Sequence, residues 1–514
     1  MLTRLIVTGF KNLVDVDVSF GAFTCVAGAN GVGKSNLFDA IRFLSALADH
    51  TLIDAARMVR DDSGNNWDVK ALFHRIGTTF DKEMSFTAEM IIPKIGHDDI
   101  TQSQVEATST LLRYQLQLSY DATANGGISH PLRIVSEKLD TIARGKRDEI
   151  LRFKKSKKWA DSVVLGRRTV PYISTPETGD QPIIHLHQDK QAGKAGGRSF
   201  QHPAASLTRT VISLTNSGET PTALLAKREM QSWRLLQLEP SALRQQDSFL
   251  SPTKLGSNGS HLPATLYRLA HPLSVPSSDV QFGKEPAVYS RVANRLYKLL
   301  GEVTSIRVDQ DNKRDLLTLE VLDKYGTAFQ AKSLSDGTLR FLALSVLAED
   351  PSTVGVICFE EPENGIHPRR VPAILELLKD IAVDTEEEVG EGNPLRQVII
   401  NTHSPGVVGG VDDSDLIIAK LVDTFRDGNR FRRIQFGCLT NTWRYKIPDA
   451  KTSTKGELLA YLQPISPAEV EADEQSQNQG ANGEIRRSPA RLKSNRVADR
   501  PDLRNLFSEI AEFV

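Results

Sequence analysis

Cysteine is scarce in this 514-residue chain, with only Cys25, Cys358 and Cys438. Three are too few for a disulfide scaffold, and their spacing is not that of a metal-ligand set. Cys25 and Cys358 each sit inside an apolar run that reads as a buried strand, so a reducing compartment is expected. Charge of one sign is also lacking. Lys and Arg number 63 against 64 Asp and Glu, a formal net charge of -1, so any nucleic-acid surface must be a local patch. No uninterrupted apolar stretch approaches the ~20 residues of a transmembrane helix. The opening MLTRLIVTGF lacks the long apolar core of a signal peptide. These absences lead to the expectation of a cytoplasmic protein with no membrane partner. No heptad pattern is sustained over several turns, which argues against a long coiled-coil arm, and no internal repeat is visible.

The hydrophobic pattern is that of a mixed α/β chain. Residues 2–7 and 14–27 read as strands, and Phe23 to Ala27 leads straight into a glycine-rich turn. After that turn Leu37, Ile41, Leu44 and Ala48 fall at helical spacing. Residues 84–92 and 111–120 alternate apolar and polar, as half-exposed strands of a β-rich lobe do. Residues 133–170 hold twelve Lys or Arg against five Asp or Glu. They are a candidate nucleic-acid contact, although a solvated face is the plainer reading because aromatic interleaving is thin. The Gly-, Pro- and His-rich stretch 171–200 reads as a mobile loop. Residues 205–245, 258–270, 288–301 and 338–349 read as helical, and 303–309, 315–323 and 397–401 as strands. An acidic loop spans Asp384 to Asn393. Beyond 464 a polar composition reads as a disordered linker, followed by one short amphipathic helix. The expected layout is a head built from 1–120 and 300–464, a lobe inserted at 121–299, and a tail at 465–514.

Four short motifs carry chemistry. Gly28-Ala29-Asn30-Gly31-Val32-Gly33-Lys34-Ser35 has the G-x-x-x-x-G-K-S form, placed between a strand and a helix. Gly28, Gly31 and Gly33 let the backbone curl so that successive N–H groups face phosphates, and the helix N-terminus adds its positive end. Lys34 is expected on the β- and γ-phosphates and Ser35 on magnesium. The apolar run from Val354 ends in Glu360-Glu361-Pro362-Glu363. A buried parallel strand delivers carboxylates at its carboxyl end, where an α/β phosphate site needs them. Glu360 would then hold magnesium through water, and Glu361 would orient and deprotonate the attacking water. Asp is usual at the first of these positions, so slow turnover is expected. Leu334-Ser335-Asp336-Gly337-Thr338 precedes a helix. It reads either as an anion site made by Ser335, Asp336, Gly337 and a helix N-terminus or as an ordinary capped helix start. His403, between Thr402 and Ser404 after the strand Val398 to Asn401, can hold the attacking water in line. Weaker candidates are Arg75 for a phosphate, Gln115 and Gln117 on a strand face, and the His185–His187 pair, which lacks a third ligand.

The stretch from Gly28 to Asn36, FEEPENGIHP at 359–368 and NTHSP at 401–405 resemble the bacterial ABC-type AAA ATPases of the RecF, SMC and OLD-like group. The motifs of that resemblance cover about residues 1–120 and 315–440. The nearest resemblance is to single-chain ATPases of phage-defence pairs, such as the Septu and PARIS ATPases. It implies an α/β P-loop head that takes ATP and Mg2+, with Asn30 and Asn36 joining Gly31, Gly33, Lys34 and Ser35 around the nucleotide. LSDGT resembles the LSGGQ signature, with Asp336 and Thr338 as departures, and would meet the γ-phosphate of ATP held by a second subunit. The resemblance therefore implies a homodimer or higher homo-oligomer closed around ATP. No acidic cluster after residue 440 makes a nuclease site. Family habit then points to a separate effector of HNH or TOPRIM type, with double-stranded DNA as a further candidate partner. The rival expectations are a RecF- or SMC-like repair ATPase, a transporter ATPase subunit, and a scaffold with structural ATP. The large insertion and the Glu-Glu-Pro-Glu element count against the transporter reading.

Overall fold

The computed structural model describes residues 1–59, 68–98, 103–121, 131–166, 168–176, 182–189, 199–271, 287–301, 303–454 and 457–458. The tail expected at 465–514 lies outside them, as do 177–181 and 190–198 of the expected mobile loop.

A six-stranded sheet forms the centre. Its order is Arg234–Leu236, Gly355–Glu360, Arg396–Thr402, Phe23–Ala27, Leu416–Arg426 and Asn429–Cys438. The first five strands run parallel and the last is antiparallel. Parallel strands with both faces covered read as continuous apolar runs. Phe23–Ala27 and the Val398–Ile400 centre of Arg396–Thr402 follow that pattern, and every residue of both strands is buried.

Alternation along these strands divides the apolar core in two. Val26, Cys358 and Ile399 point toward the helix Lys34–Leu47 and an eight-stranded antiparallel sheet. Cys25, Ile357, Phe359 and Ile400 point the other way, toward the helices Asp336–Glu349 and Val371–Ile381 and a smaller antiparallel sheet. The eight-stranded sheet includes Glu83–Ile91 and Leu111–Tyr120, the expected half-exposed strands, paired in register from Glu83↔Ser119 to Ile91↔Leu111. Leu132–Thr141 continues it. Buried Gln397 joins the two sheets, donating to the Leu2 and Gly21 carbonyls at 2.8 and 2.7 Å and accepting from the Leu2 N–H at 2.8 Å.

One stretch differs from expectation. Residues 205–245 are mostly not helical: they hold a helix over Pro221–Gln231, the strand Arg234–Leu236 and a one-turn helix over Pro240–Leu243. Their propensity is overridden by the open edge of the parallel sheet, where Arg234–Leu236 pairs with Ile357–Phe359. Among the described residues, no helix is long and apolar enough to cross a membrane.

The basic stretch lies against the acidic loop. Lys154 and Lys158 pair with Glu386 and Glu387 at 3.2 and 3.0 Å, while Arg147 pairs with Asp161 at 2.5 Å. Exposed pairs of this kind contribute little stability, but they offset the local positive charge that nominated 133–170 as a nucleic-acid surface.

Glu137 ties the lobe to the glycine-loop helix. It is fully buried and accepts from the Val211 and Ile212 N–H groups at 2.6 and 2.9 Å and from the Tyr114 hydroxyl at 3.1 Å. Neighbouring Thr210 donates to the Leu47 carbonyl at 2.7 Å, in the last turn of the helix that begins at Lys34. Burial raises the Glu137 carboxyl from 4.5 to about 7, against the pull of those three donors. Below about pH 4.5 the group is protonated in both folded and unfolded chains. As pH rises toward 7 only the unfolded chain ionises, so folding stability falls, by on the order of 3 kcal/mol in total. Thermal midpoints of wild type and Glu137→Gln measured from pH 5 to 8 test this. The difference should drift in favour of the Gln chain as pH rises, on top of a constant offset from the lost acceptor; parallel curves would count against it.

Candidate functional site

Because the strands are parallel, their carboxyl ends share one edge. Register places Ala27 beside Thr402 and Asn401 beside Glu360. The glycine loop, the Glu pair and His403 therefore emerge together, with Gln237 next in line after Leu236, the register partner of Phe359.

The loop leaves its strand at Gly28, whose N–H donates to the Thr402 carbonyl at 3.2 Å. Gly33 has φ 99, a conformation that favours glycine, and a Cβ there would stand 2.2 Å from the Asn12 amide. Asn12 grips the loop, donating to the Val32 carbonyl at 3.0 Å and accepting from Asn36 Nδ2 at 2.8 Å. The helix begins at Lys34 with no acidic residue in its first turn, so its dipole favours an anion at that end. Lys34 Nζ rests on the Gly28 and Ala29 carbonyls at 2.5 and 2.9 Å. Burial lowers its pKa, while Glu361, Glu363 and Glu360 hold it up.

The carboxylates take different surroundings. Glu360 accepts from Gln237 Nε2 at 2.5 Å and from Asn401 Nδ2 at 3.4 Å. Glu361 adopts φ 45, and its N–H is shared between the Asn401 backbone and side-chain oxygens, each at 3.1 Å. Its carboxylate meets His403 Nδ1 at 2.6 Å and Asn364 Nδ2 at 3.1 Å. Glu363 accepts from the Thr402 hydroxyl, and burial raises its pKa.

Ser335 caps the helix Asp336–Glu349, accepting from the Thr338 N–H at 3.3 Å. Asp336 pairs with Arg244 at 2.5 Å. A Cβ on Gly337 would lie 2.7 Å from the Gly365 carbonyl, so this helix start packs closely on the segment that follows the Glu pair.

A cleft of about 620 Å³ opens here, lined by Asn30, Gly31, Gly33, Lys34, Ser35 and Asn36 of the loop together with Gln237, Glu360, Glu361, Asn401 and Arg340. Ser335, Asp336 and Gly337 do not line this cleft, and His403 reaches it through Glu361. The Ser35 hydroxyl and Glu360 carboxylate lining it are hard oxygen donors of the kind magnesium takes.

The weaker sequence candidates lie elsewhere. Arg75 donates to the Gly77 carbonyl at 2.5 Å in a small hairpin. Gln115 and Gln117 lie in the eight-stranded sheet, where Gln117 bonds to Glu83 at 2.8 Å. His185 and His187 stack at 6.1 Å, and among the described residues no third metal-ligating side chain joins them. Sequence reasoning missed Gln237, Asn12 and Arg340. No spacing rule ties any of them to the loop, although Gln237 does follow three residues of strand-like character.

The chain matches the family described as "AAA domain, putative AbiEii toxin, Type IV TA system" over residues 23–409. It is similar to the DNA replication and repair protein RecF of Bacteroides thetaiotaomicron, 46% identical over 46 residues, which is 9% of this chain and 12% of that protein. RecF of Paenarthrobacter aurescens is 37% identical over 60 residues, covering 12% and 15%. The matched segments thus span a small part of these relatives. Among solved structures, the SmcHead bound to the C-winged helix domain of ScpA covers 85% of this chain and 98% of its own, at 15% identity and TM-score 0.41. The Smc head domain with an extended coiled coil from Pyrococcus furiosus, bound to the C-terminal domain of ScpA, covers 85% and 96%, at 13% identity and TM-score 0.39. The match across residues 23–409, which starts at the strand leading into the glycine loop, shows that the chain belongs to this AAA family.

Proposed function

We propose that this chain binds ATP with Mg2+ in the cleft beside Lys34 and hydrolyses it slowly to ADP and phosphate. One observation carries the reading: the glycine loop, Glu360, Glu361 and Gln237 share a single cleft although they come from distant parts of the chain. Lys34 would exchange the Gly28 and Ala29 carbonyls for β- and γ-phosphate oxygens. Ser35 and Glu360 would hold magnesium, which when bound supplies charge neutralisation at the phosphates. Glu361, held by His403 and Asn364, would accept the proton of a water that attacks the γ-phosphorus. The bond to the β–γ bridging oxygen then breaks, and ADP leaves with the electron pair.

In this reading the head comprises 1–120 and 300–464, completed by the edge strand Arg234–Leu236 from the intervening lobe, and two copies close on ATP so that Ser335 to Thr338 of one meets the nucleotide of the other. ATP then favours the closed dimer because it binds that state more tightly. That Ser335, Asp336 and Gly337 stand outside their own chain's cleft supports it. The biological setting we infer is a cytoplasmic ATPase that regulates a separate HNH- or TOPRIM-type effector in phage defence. A RecF-like role on double-stranded DNA is the second reading, favoured by the similarity to RecF over 46 residues.

Two variants test the chemistry. Lys34→Ala should weaken ATP binding by roughly 100-fold, as expected for losing a buried charge-assisted contact; unchanged affinity in equilibrium titration would overturn the reading. Glu361→Gln should retain ATP binding while turnover falls roughly 100- to 10,000-fold. Light scattering should then show that chain as a dimer in ATP and a monomer without it. A stimulated hydrolysis rate on adding double-stranded DNA would favour the RecF-like reading over the effector-only one.

A further inference from the structure

The nucleotide reading leaves one cation in the cleft without a role. Arg340 stands on the second turn of the helix Asp336–Glu349 and lines the cleft with Lys34, Ser35, Glu361 and Asn364. Among the described residues lining it, Lys34 and Arg340 are the cations, set against Glu239, Glu360 and Glu361. A triphosphate carries more negative charge than one lysine and one divalent cation cancel, and in phosphoryl transfer that charge spreads over the γ-phosphate oxygens. A second cation within reach of those oxygens would complete the balance.

The guanidinium is only partly engaged. It donates through one terminal nitrogen to the Asn364 carbonyl, and its Nε is buried with no hydrogen-bond partner among the described residues. A guanidinium presents a planar fork of donors matched to phosphate geometry, and a buried donor left unmatched costs stability. An incoming phosphate would supply what the resting site lacks. Asn364 also places Arg340 along the cleft: its side chain holds Glu361 at 3.1 Å while its carbonyl holds Arg340. Arg340 is therefore next to the carboxylate that would face the attacking water, at the γ-phosphate end of the cleft.

We propose that Arg340 is a γ-phosphate contact supplied by the same chain as Lys34. On ATP binding its guanidinium donates to a γ-phosphate oxygen, which makes it a determinant of ATP over ADP and a stabiliser of charge as the γ-phosphoryl group transfers. The proposal rests on the ATP-site reading and adds one residue and one specificity to it.

The test uses the full chain with Arg340→Met, which keeps an unbranched stem without charge, and Arg340→Lys, which keeps a point charge. Binding of ADP and of the non-hydrolysable analogue AMP-PNP, each with Mg2+, is measured by calorimetry alongside steady-state hydrolysis. In Arg340→Met the AMP-PNP affinity should fall roughly 10- to 100-fold, the size of a lost charge-assisted bond, while ADP affinity stays within roughly 2-fold and kcat drops. Arg340→Lys should recover part of the AMP-PNP affinity. If the Met chain weakens ADP and AMP-PNP equally, or weakens neither, Arg340 serves only to clamp Asn364 and the proposal is wrong. Lys34→Ala in the same assay separates the two levels. If it too leaves both nucleotides bound, the ATP-site reading has failed and the proposal falls with it. If it abolishes binding while Arg340→Met behaves as wild type, only the Arg340 proposal fails.

Discussion

The site depends on parallel register. Three segments, Phe23–Ala27, Gly355–Glu360 and Arg396–Thr402, place Ala27, Thr402, Asn401 and Glu360 along one sheet edge. Everything beyond that edge is then forced into one volume. Glu361 shows what this demands: a non-glycine residue in left-handed backbone costs about 1 kcal/mol or more, and it is retained here because Asn401 offers its N–H two acceptors. The turn sends the Glu361 carboxylate toward His403 and Asn364 instead of continuing the strand's alternation. A slip of one residue between these strands would send alternate side chains to the opposite core.

Charge explains why the resting cleft looks as it does. Glu360, Glu361 and Glu363 all act on one buried lysine. With carboxylates on that side, Lys34 could pair with one of them and close the cleft; it rests instead on loop carbonyls. Those carbonyls are neutral, so leaving them for phosphate oxygens breaks no ion pair. Glu360 accepts from the Gln237 and Asn401 side-chain amides, and Glu361 from the Asn364 amide while meeting His403. Lys34 and Arg340 rest on backbone carbonyls, which phosphate oxygens can replace.

What was legible in the sequence was local. The glycine loop, the Glu pair and His403 each announce themselves by residue type next to an apolar strand, and the helix after Ser335 by its cap. Three central strands, Phe23–Ala27, Gly355–Glu360 and Arg396–Thr402, were legible because burial on both faces leaves their middles apolar. Gln237, Asn12 and Arg340 were not, because each reaches the cleft through tertiary packing. Gln237 follows a three-residue strand that exists only by pairing with Ile357–Phe359, inside a stretch whose propensity is helical. Asn12 is brought to Gly33 by a turn between lobe strands, and Arg340 faces the cleft because Gly337 packs on Gly365. The basic stretch shows the opposite limit: charge counted along the chain cannot see an acidic loop more than 200 residues away.

The helix start at Ser335 and the catalytic-looking carboxylate are not independent parts. Gly337 lies too close to the Gly365 carbonyl for any side chain, Gly365 follows Asn364, and Asn364 holds Glu361. A displacement of this helix by less than an ångström must move the Gly365 peptide or open a gap against it, because close-packed contacts transmit strain. Asp336, a departure from the signature pattern, is tied by Arg244 to the carbonyl of Leu334 and to its own helix start, which stiffens the element that would push. An anion arriving at Ser335 to Thr338 would therefore act on Glu361 through the close Gly337–Gly365 approach and the Asn364–Glu361 hydrogen bond, joined by one peptide. The identity of the residue at 337 matters as much for that path as for the anion itself: only glycine lets the helix sit close enough for the two to be coupled.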